Sequence, residues 1–168
     1  MYLFDANVFI EAKNRYYAFD ICPGFWEWMD FIVTRGEVFS IGMVCDELAK
    51  GDDELAEWAK ARKGADWFLD VSDQPTQEAF AAIAAGVQGG SFKEAAKAKF
   101  LSGADPWLVA KGVNIGATVV THETHDPQSK KKVPLPNICE QWSISFTHSF
   151  DVLRKLSASF VLDKAEPE

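Results

Sequence analysis

Apolar residues fall along this chain in two rhythms, short continuous runs and stripes spaced three or four residues apart. Tyr2-Leu3-Phe4 is a short apolar run ending at Asp5, which predicts a buried strand with a carboxylate at its C-terminal tip. Asn7 stands where it could cap the segment that follows. Phe25, Trp28, Met29 and Ile32 keep helical spacing, so a helix is expected from the Cys22-Pro23-Gly24 break to Arg35-Gly36. Residues 37–41 read as a second strand, and 42–50 as a short helix with Val44 and Leu48 on one face. Asp52 or Asp53 caps a further helix, carrying Leu55, Trp58, Ala59 and Arg62 and ending at Gly64. A short strand is expected over 67–71.

Pro75 starts a helix bearing Phe80, Ile83, Ala84 and Val87, closed by Gly89-Gly90. Ser91-Phe92-Lys93-Glu94 has the form of a capping box opening a helix to Leu101. Asp105-Pro106 reads as a cap followed by proline at the first helical position, with Trp107, Leu108 and Val109 entering the core. Residues 118–121 form the clearest β-branched strand, and 130–136 a basic, proline-bearing loop. A last strand is expected at 144–146 and a last helix at 148–156, capped by His148. Strands separated by helical stretches predict an α/β fold: a single three-layer domain over residues 1–160, with a mostly parallel central sheet flanked by helices. A frayed tail is expected over 161–168.

With 168 residues, 48% hydrophobic and 25% charged, the composition excludes a disordered chain and suits one globular domain. No apolar run approaches the roughly 20 residues that cross a bilayer, so no membrane association is expected. The opening MYLFDANVF carries an acid and no basic lead, unlike a secretory signal. Cys22, Cys45 and Cys139 are odd in number and lack metal-ligand spacing, which suits buried thiols in a reducing, cytoplasmic setting. The net charge of −8 argues against indiscriminate binding to nucleic acid. Its distribution changes that picture: residues 1–75 hold 15 acids against 7 bases, whereas residues 91–132 hold seven bases against four acids.

In a parallel α/β sheet, ligands gather outside the carboxyl ends of the strands. Asp5 and Glu123 each follow a predicted strand, Asp105 opens a helix just before one, and Glu47 lies on the short helix after another. Carboxylates converging there repel one another unless a cation neutralises them. Oxygen ligands of this kind suit Mg²⁺ or Mn²⁺, which take a few carboxylates together with a substrate phosphate.

The local contexts FDANVFI (4–10), VCDELAK (44–50), GADPWLVA (103–110) and VVTHE (119–123), in that order, resemble the PIN-domain family. The resemblance spans nearly the whole chain and is closest to small stand-alone VapC-type toxins. It implies a metal-dependent endoribonuclease that leaves a 5′-phosphate and is restrained by an antitoxin protein; homodimerisation is likewise a family expectation. Asp5, Glu47 and Asp105 match the family's first three acids. At the fourth, Glu123 stands where Asp is more common, and Asp126, three residues on, is the competing ligand. The stretch from Gly64 to Gly103 is longer than in compact members.

Several residues carry a second reading. Asn7 is either a helix cap or a holder of a water at the metal, and Thr121 either an ordinary strand residue or a partner to an acid. His122 and His125 form H-E-x-H rather than the helical H-E-x-x-H of zinc peptidases, so they read as solvent-facing or substrate-contacting. Lys130, Lys131 and Lys132 form either a solvated loop or a phosphate contact. Against the nuclease stands a PIN-like binding module that has lost its chemistry. A phosphatase reading of Asp5-Ala6-Asn7 fails because the second acid of that motif is Asn7.

Overall fold

The computed structural model describes residues 1–161. The chain runs β1 (Tyr2–Phe4), α1 (Ala6–Glu11), a π-helical turn (Ala12–Tyr16), α2 (Pro23–Thr34), β2 (Val38–Ile41), α3 (Gly42–Leu48), α4 (Glu54–Ala61) and β3 (Phe68–Leu69). There follow α5 (Gln74–Gly89), α6 (Glu94–Leu101), α7 (Asp105–Ile115), β4 (Thr118–Val120), α8 (Leu135–Gln141), β5 (Phe146–Thr147) and α9 (Ser149–Lys155). All five strands are parallel, in the order β3-β2-β1-β4-β5. The expected α/β fold is therefore the one observed.

The short apolar runs become strands because both faces of the sheet are covered by helices. Leu3, Val38, Val119 and Val120 are fully buried. Leu3 pairs with Phe39 on one side and Val119 on the other, which makes β1 the middle strand. Beneath α2 and α4 lies an aromatic layer in which Trp58 meets Phe9, Trp26 and Trp67 at centroid distances of 5.6, 5.2 and 5.0 Å. On the other flank α5 packs along α7, where Phe80 stacks on Trp107 at 3.7 Å. Lys111 reaches from α7 to Asp73 at 2.6 Å, beside the Asp73 cap of α5. Gly116, at φ +65°, supplies the left-handed residue that turns α7 into β4.

The order of the strands matters for function. From β1 the chain moves outward to β2 and β3, then returns to place β4 on the opposite side of β1. The crossovers therefore diverge between β1 and β4, and their carboxyl ends leave a crevice at this switch point.

Some sequence expectations are corrected. Helix α8 forms where a basic loop was expected to run to residue 136; Pro136 falls in its first turn, where its missing N–H costs nothing. The capping box at Ser91 is absent. Helix α6 starts at Glu94 with Lys93 at the cap position, and the Ser91 hydroxyl accepts instead from Lys130 Nζ at 2.8 Å. Helix α7 includes Asp105 as its first residue, with Ala104 at the cap position. His148 holds the cap position of α9 but its side chain bonds no backbone N–H there. All three cysteines are free, with Cys45 and Cys139 buried and Cys22 only half-buried. Except for Val161, the expected frayed tail lies outside the described residues.

Candidate functional site

Asp5 sits immediately beyond β1, and its N–H donates to Val120 O at 3.0 Å, so the sheet ladder itself fixes its place beside β4. It is only 4% exposed. The Thr121 hydroxyl donates to Asp5 Oδ2 at 3.0 Å and accepts from Asn7 Nδ2 at 3.3 Å and from the Glu123 N–H at 3.2 Å. One hydroxyl thus joins the carboxyl ends of β1 and β4. Asn7 completes the link by accepting the His122 N–H on Oδ1 at 3.2 Å. Asn7 is not a helix cap, since Asp5 occupies that position in α1; its side chain is spent on the facing strand instead.

The acids share one field. Burial, then the negative charge of Asp105, raises Asp5 to about 8, against some relief from the Thr121 hydroxyl. Asp105 is raised to about 6 by burial, then by the charges of Glu123 and Glu47, with Lys132 and Lys99 opposing. Burial and the Asp5 charge also push the Cys139 thiol beneath the site up to about 12. Burial and mutual repulsion disfavour the charged form of both carboxyls, most of all that of Asp5, and a cation would relieve the repulsion. As the side chains stand, no group of three or more His, Cys, Asp or Glu is close enough together to hold an ion, among the described residues.

The reason lies partly in Glu123. Its Oε1 accepts from Lys132 Nζ and its Oε2 from the Leu135 N–H at 2.9 Å, at the start of α8. Two cavities meet its partner Lys132. One, of about 550 Å³, is lined by Asn7, Glu11, His122, Glu123, Asp126 and Lys132 among others. The other, of about 260 Å³, includes Glu47, Lys99, Asp105, Lys131 and Lys132 in its wall. Of the candidate acids, Glu123 and Asp126 line the first and Glu47 and Asp105 the second, and Lys132 lines both.

Asp105 and Glu123 therefore act on Asp5 through their charge, and Glu47 acts on Asp105. Asp126 does not join them. Its Oδ1 accepts from the Gln128 N–H at 3.0 Å, and its backbone is clasped on both sides by the Asn137 amide, so it holds its own loop together. Lys130 reaches Ser91, Lys132 reaches Glu123, and Lys131 stands exposed on the cavity rim.

His122 departs from expectation. Its side chain is 6% exposed and held at both ends, Nδ1 to Glu11 Oε2 at 2.7 Å and Nε2 to Ser149 Oγ at 2.6 Å. It also stacks on His148 at 4.1 Å. The Ser149–His122–Glu11 line has the connectivity of a hydrolytic triad, but Ser149 is 5% exposed, so its hydroxyl is closed to substrate. The line works as a tie between α1, the end of β4 and α9. Glu11 lies four residues beyond Asn7 on α1, so helical spacing was the available signal for this face. His125 is partly exposed and pairs with Glu140 at 2.8 Å.

The fold is that of a parallel α/β domain with a buried carboxyl, Asp5, at the switch point of its sheet, in the field of Asp105 and Glu123. The chain belongs to the family described as Domain of unknown function (DUF4411), whose sequence profile matches residues 2–160. Comparisons with curated proteins and with solved structures gave no significant match. Among the described residues, no helix is long and apolar enough to cross a membrane.

Proposed function

We propose that this protein is a divalent-metal-dependent endoribonuclease whose site is formed by Asp5, Glu47, Asp105 and Glu123. The observation that carries the reading is Asp5: a buried carboxyl at the switch point, burdened by the charge of Asp105 and Glu123. A carboxyl so placed costs stability unless protonated or paired with a cation. The donor set is all oxygen, which fits Mg²⁺ or Mn²⁺. When bound, such an ion supplies Lewis-acid stabilisation of a phosphodiester oxygen and a water made nucleophilic near neutral pH.

The chain's own residues have distinct tasks in this scheme. Asp5 and Asp105 would offer carboxylate oxygens that ionise as a cation binds, and Thr121 with Asn7 holds Asp5 in register with the loop after β4. Glu123 would add a carboxylate from the β4 side. Lys99, Lys131 and Lys132 give the rim the positive charge that a phosphate chain needs, positioning it without reading its sequence. The choice of RNA, an antitoxin partner and a homodimer rest on the resemblance to PIN-domain toxins.

A second reading, a binding module without chemistry, is favoured by one observation: both Glu123 oxygens are already engaged. Cleavage of a mixed RNA pool with Mg²⁺, Mn²⁺ or EDTA, beside an Asp105→Asn control, separates the two. The nuclease predicts metal-dependent cutting that EDTA stops and the variant lacks. Folded protein that binds Mn²⁺ and RNA yet cuts nothing selects the binding module.

A further inference from the structure

The ammonium of Lys132 lies on Glu123, with its side chain 63% exposed and that of Glu123 16% exposed. Its backbone is fixed on either side: Ser129 Oγ donates to Lys132 O at 2.8 Å, the Lys93 N–H donates to Lys130 O at 2.8 Å, and Val133 is buried. The backbone at Lys132 is therefore tied down while its side chain stays largely exposed. Lys132 lines both cavities, so its side chain stands at their common border. Its charge opposes the upward shift of Asp105, as a cation in the site would.

We propose that Lys132 is a displaceable counter-cation: it occupies Glu123 while the acidic site is empty, and gives Glu123 up when a divalent ion enters, freeing its ammonium for a substrate phosphate. The inference rests on the metal-site reading above. Glu123 Oε2 is held by a backbone N–H, so Oε1 is the oxygen to be exchanged, and it is the one the lysine covers. An ion pair with an exposed member is weak and readily traded. The released ammonium swings about a fixed Cα on the rim beside Lys99 and Lys131. Metal entry and phosphate capture are thereby linked through one side chain.

The test is Mn²⁺ affinity, measured by calorimetry on the whole protein without RNA at fixed ionic strength. Lys132→Met is compared with Lys131→Met, which removes an equal charge from the same rim but not from Glu123. The exchange predicts Mn²⁺ binding about five-fold tighter for Lys132→Met than for Lys131→Met, because the ion no longer competes with an ammonium. Lys132→Met also raises KM for RNA by a larger factor than it lowers kcat. Equal Mn²⁺ affinities, or a weaker one for Lys132→Met, overturn the exchange and leave the metal site standing. A parent protein that binds no Mn²⁺ overturns the metal site and the exchange together.

Discussion

Replacing Asp5 with Asn removes a charge from a place that resists it, and the effect on stability depends on pH. Asp5 is raised from 3.8 to about 8 in the folded protein, chiefly by burial and then by Asp105. Between those values the folded state holds the proton more tightly than the unfolded state does, so stability falls as pH rises through that window. At about 1.4 kcal/mol per pH unit, the full window bounds the loss at on the order of 5 kcal/mol. Asparagine is also a buried polar group and keeps part of the desolvation cost, so a gain of about 2 kcal/mol at pH 8.5 is expected for Asp5→Asn. At pH 4 the parent carboxyl is protonated and the two proteins should match. For a chain of this size the gain corresponds to a melting temperature roughly 4–8 °C higher at pH 8.5. Thermal unfolding of both proteins from pH 4 to 8.5 in EDTA measures the divergence. Adding Mg²⁺ should flatten the pH dependence of the parent and leave that of the variant unchanged. Parallel stability curves across the range would refute the account of Asp5 as a strained, uncompensated acid.

Other expectations follow from single contacts. Thr121→Val strips the hydroxyl that serves Asp5, Asn7 and the Glu123 N–H, and should cost about 1–3 kcal/mol in denaturant unfolding. His122→Phe keeps an aromatic ring against His148 but leaves Glu11 and Ser149 without their partner. A loss of about 1–3 kcal/mol is expected by thermal melting, whereas unchanged stability would show that the tie from α1 to α9 carries no weight. Arg62→Met removes the fork on Asp30 and the cation over the Trp58 ring at 4.4 Å, and should lower stability by about 1–2 kcal/mol.

The sequence alone determined the class of fold. Apolar runs such as Tyr2-Leu3-Phe4 and 118–121, alternating with stripes of helical spacing, point to a mostly parallel sheet covered on both faces, because strands apolar on both sides need helices on each and the intervening helices supply the crossovers. It also placed Asp5 and Glu123 at strand ends, since a strand's polarity is readable from where its apolar run stops. What it left open needed contacts between distant segments. Asn7 read by local rule as a helix cap or a holder of water, yet it reaches 114 residues along the chain to Thr121; Asp105 was read as a cap and a site acid together, and only the fold gives it Ala104 at the cap position and the charges of Glu123 and Glu47 as neighbours. Glu123 and Asp126 were indistinguishable by spacing, and only the position of α8 decides that one faces the acids while the other fastens a loop. His122 was expected to meet solvent or substrate; it lines the larger cavity, but its ring is largely covered because Glu11 and Ser149 arrive from elements on either side. Helix α8 was missed because its prolines read as loop until its buried Leu135, Ile138 and Cys139 found the core. Periodicity reports which face of an element is apolar. Which polar groups meet across the crevice is fixed by strand order, and that exists only once the chain has returned to place β4 beside β1.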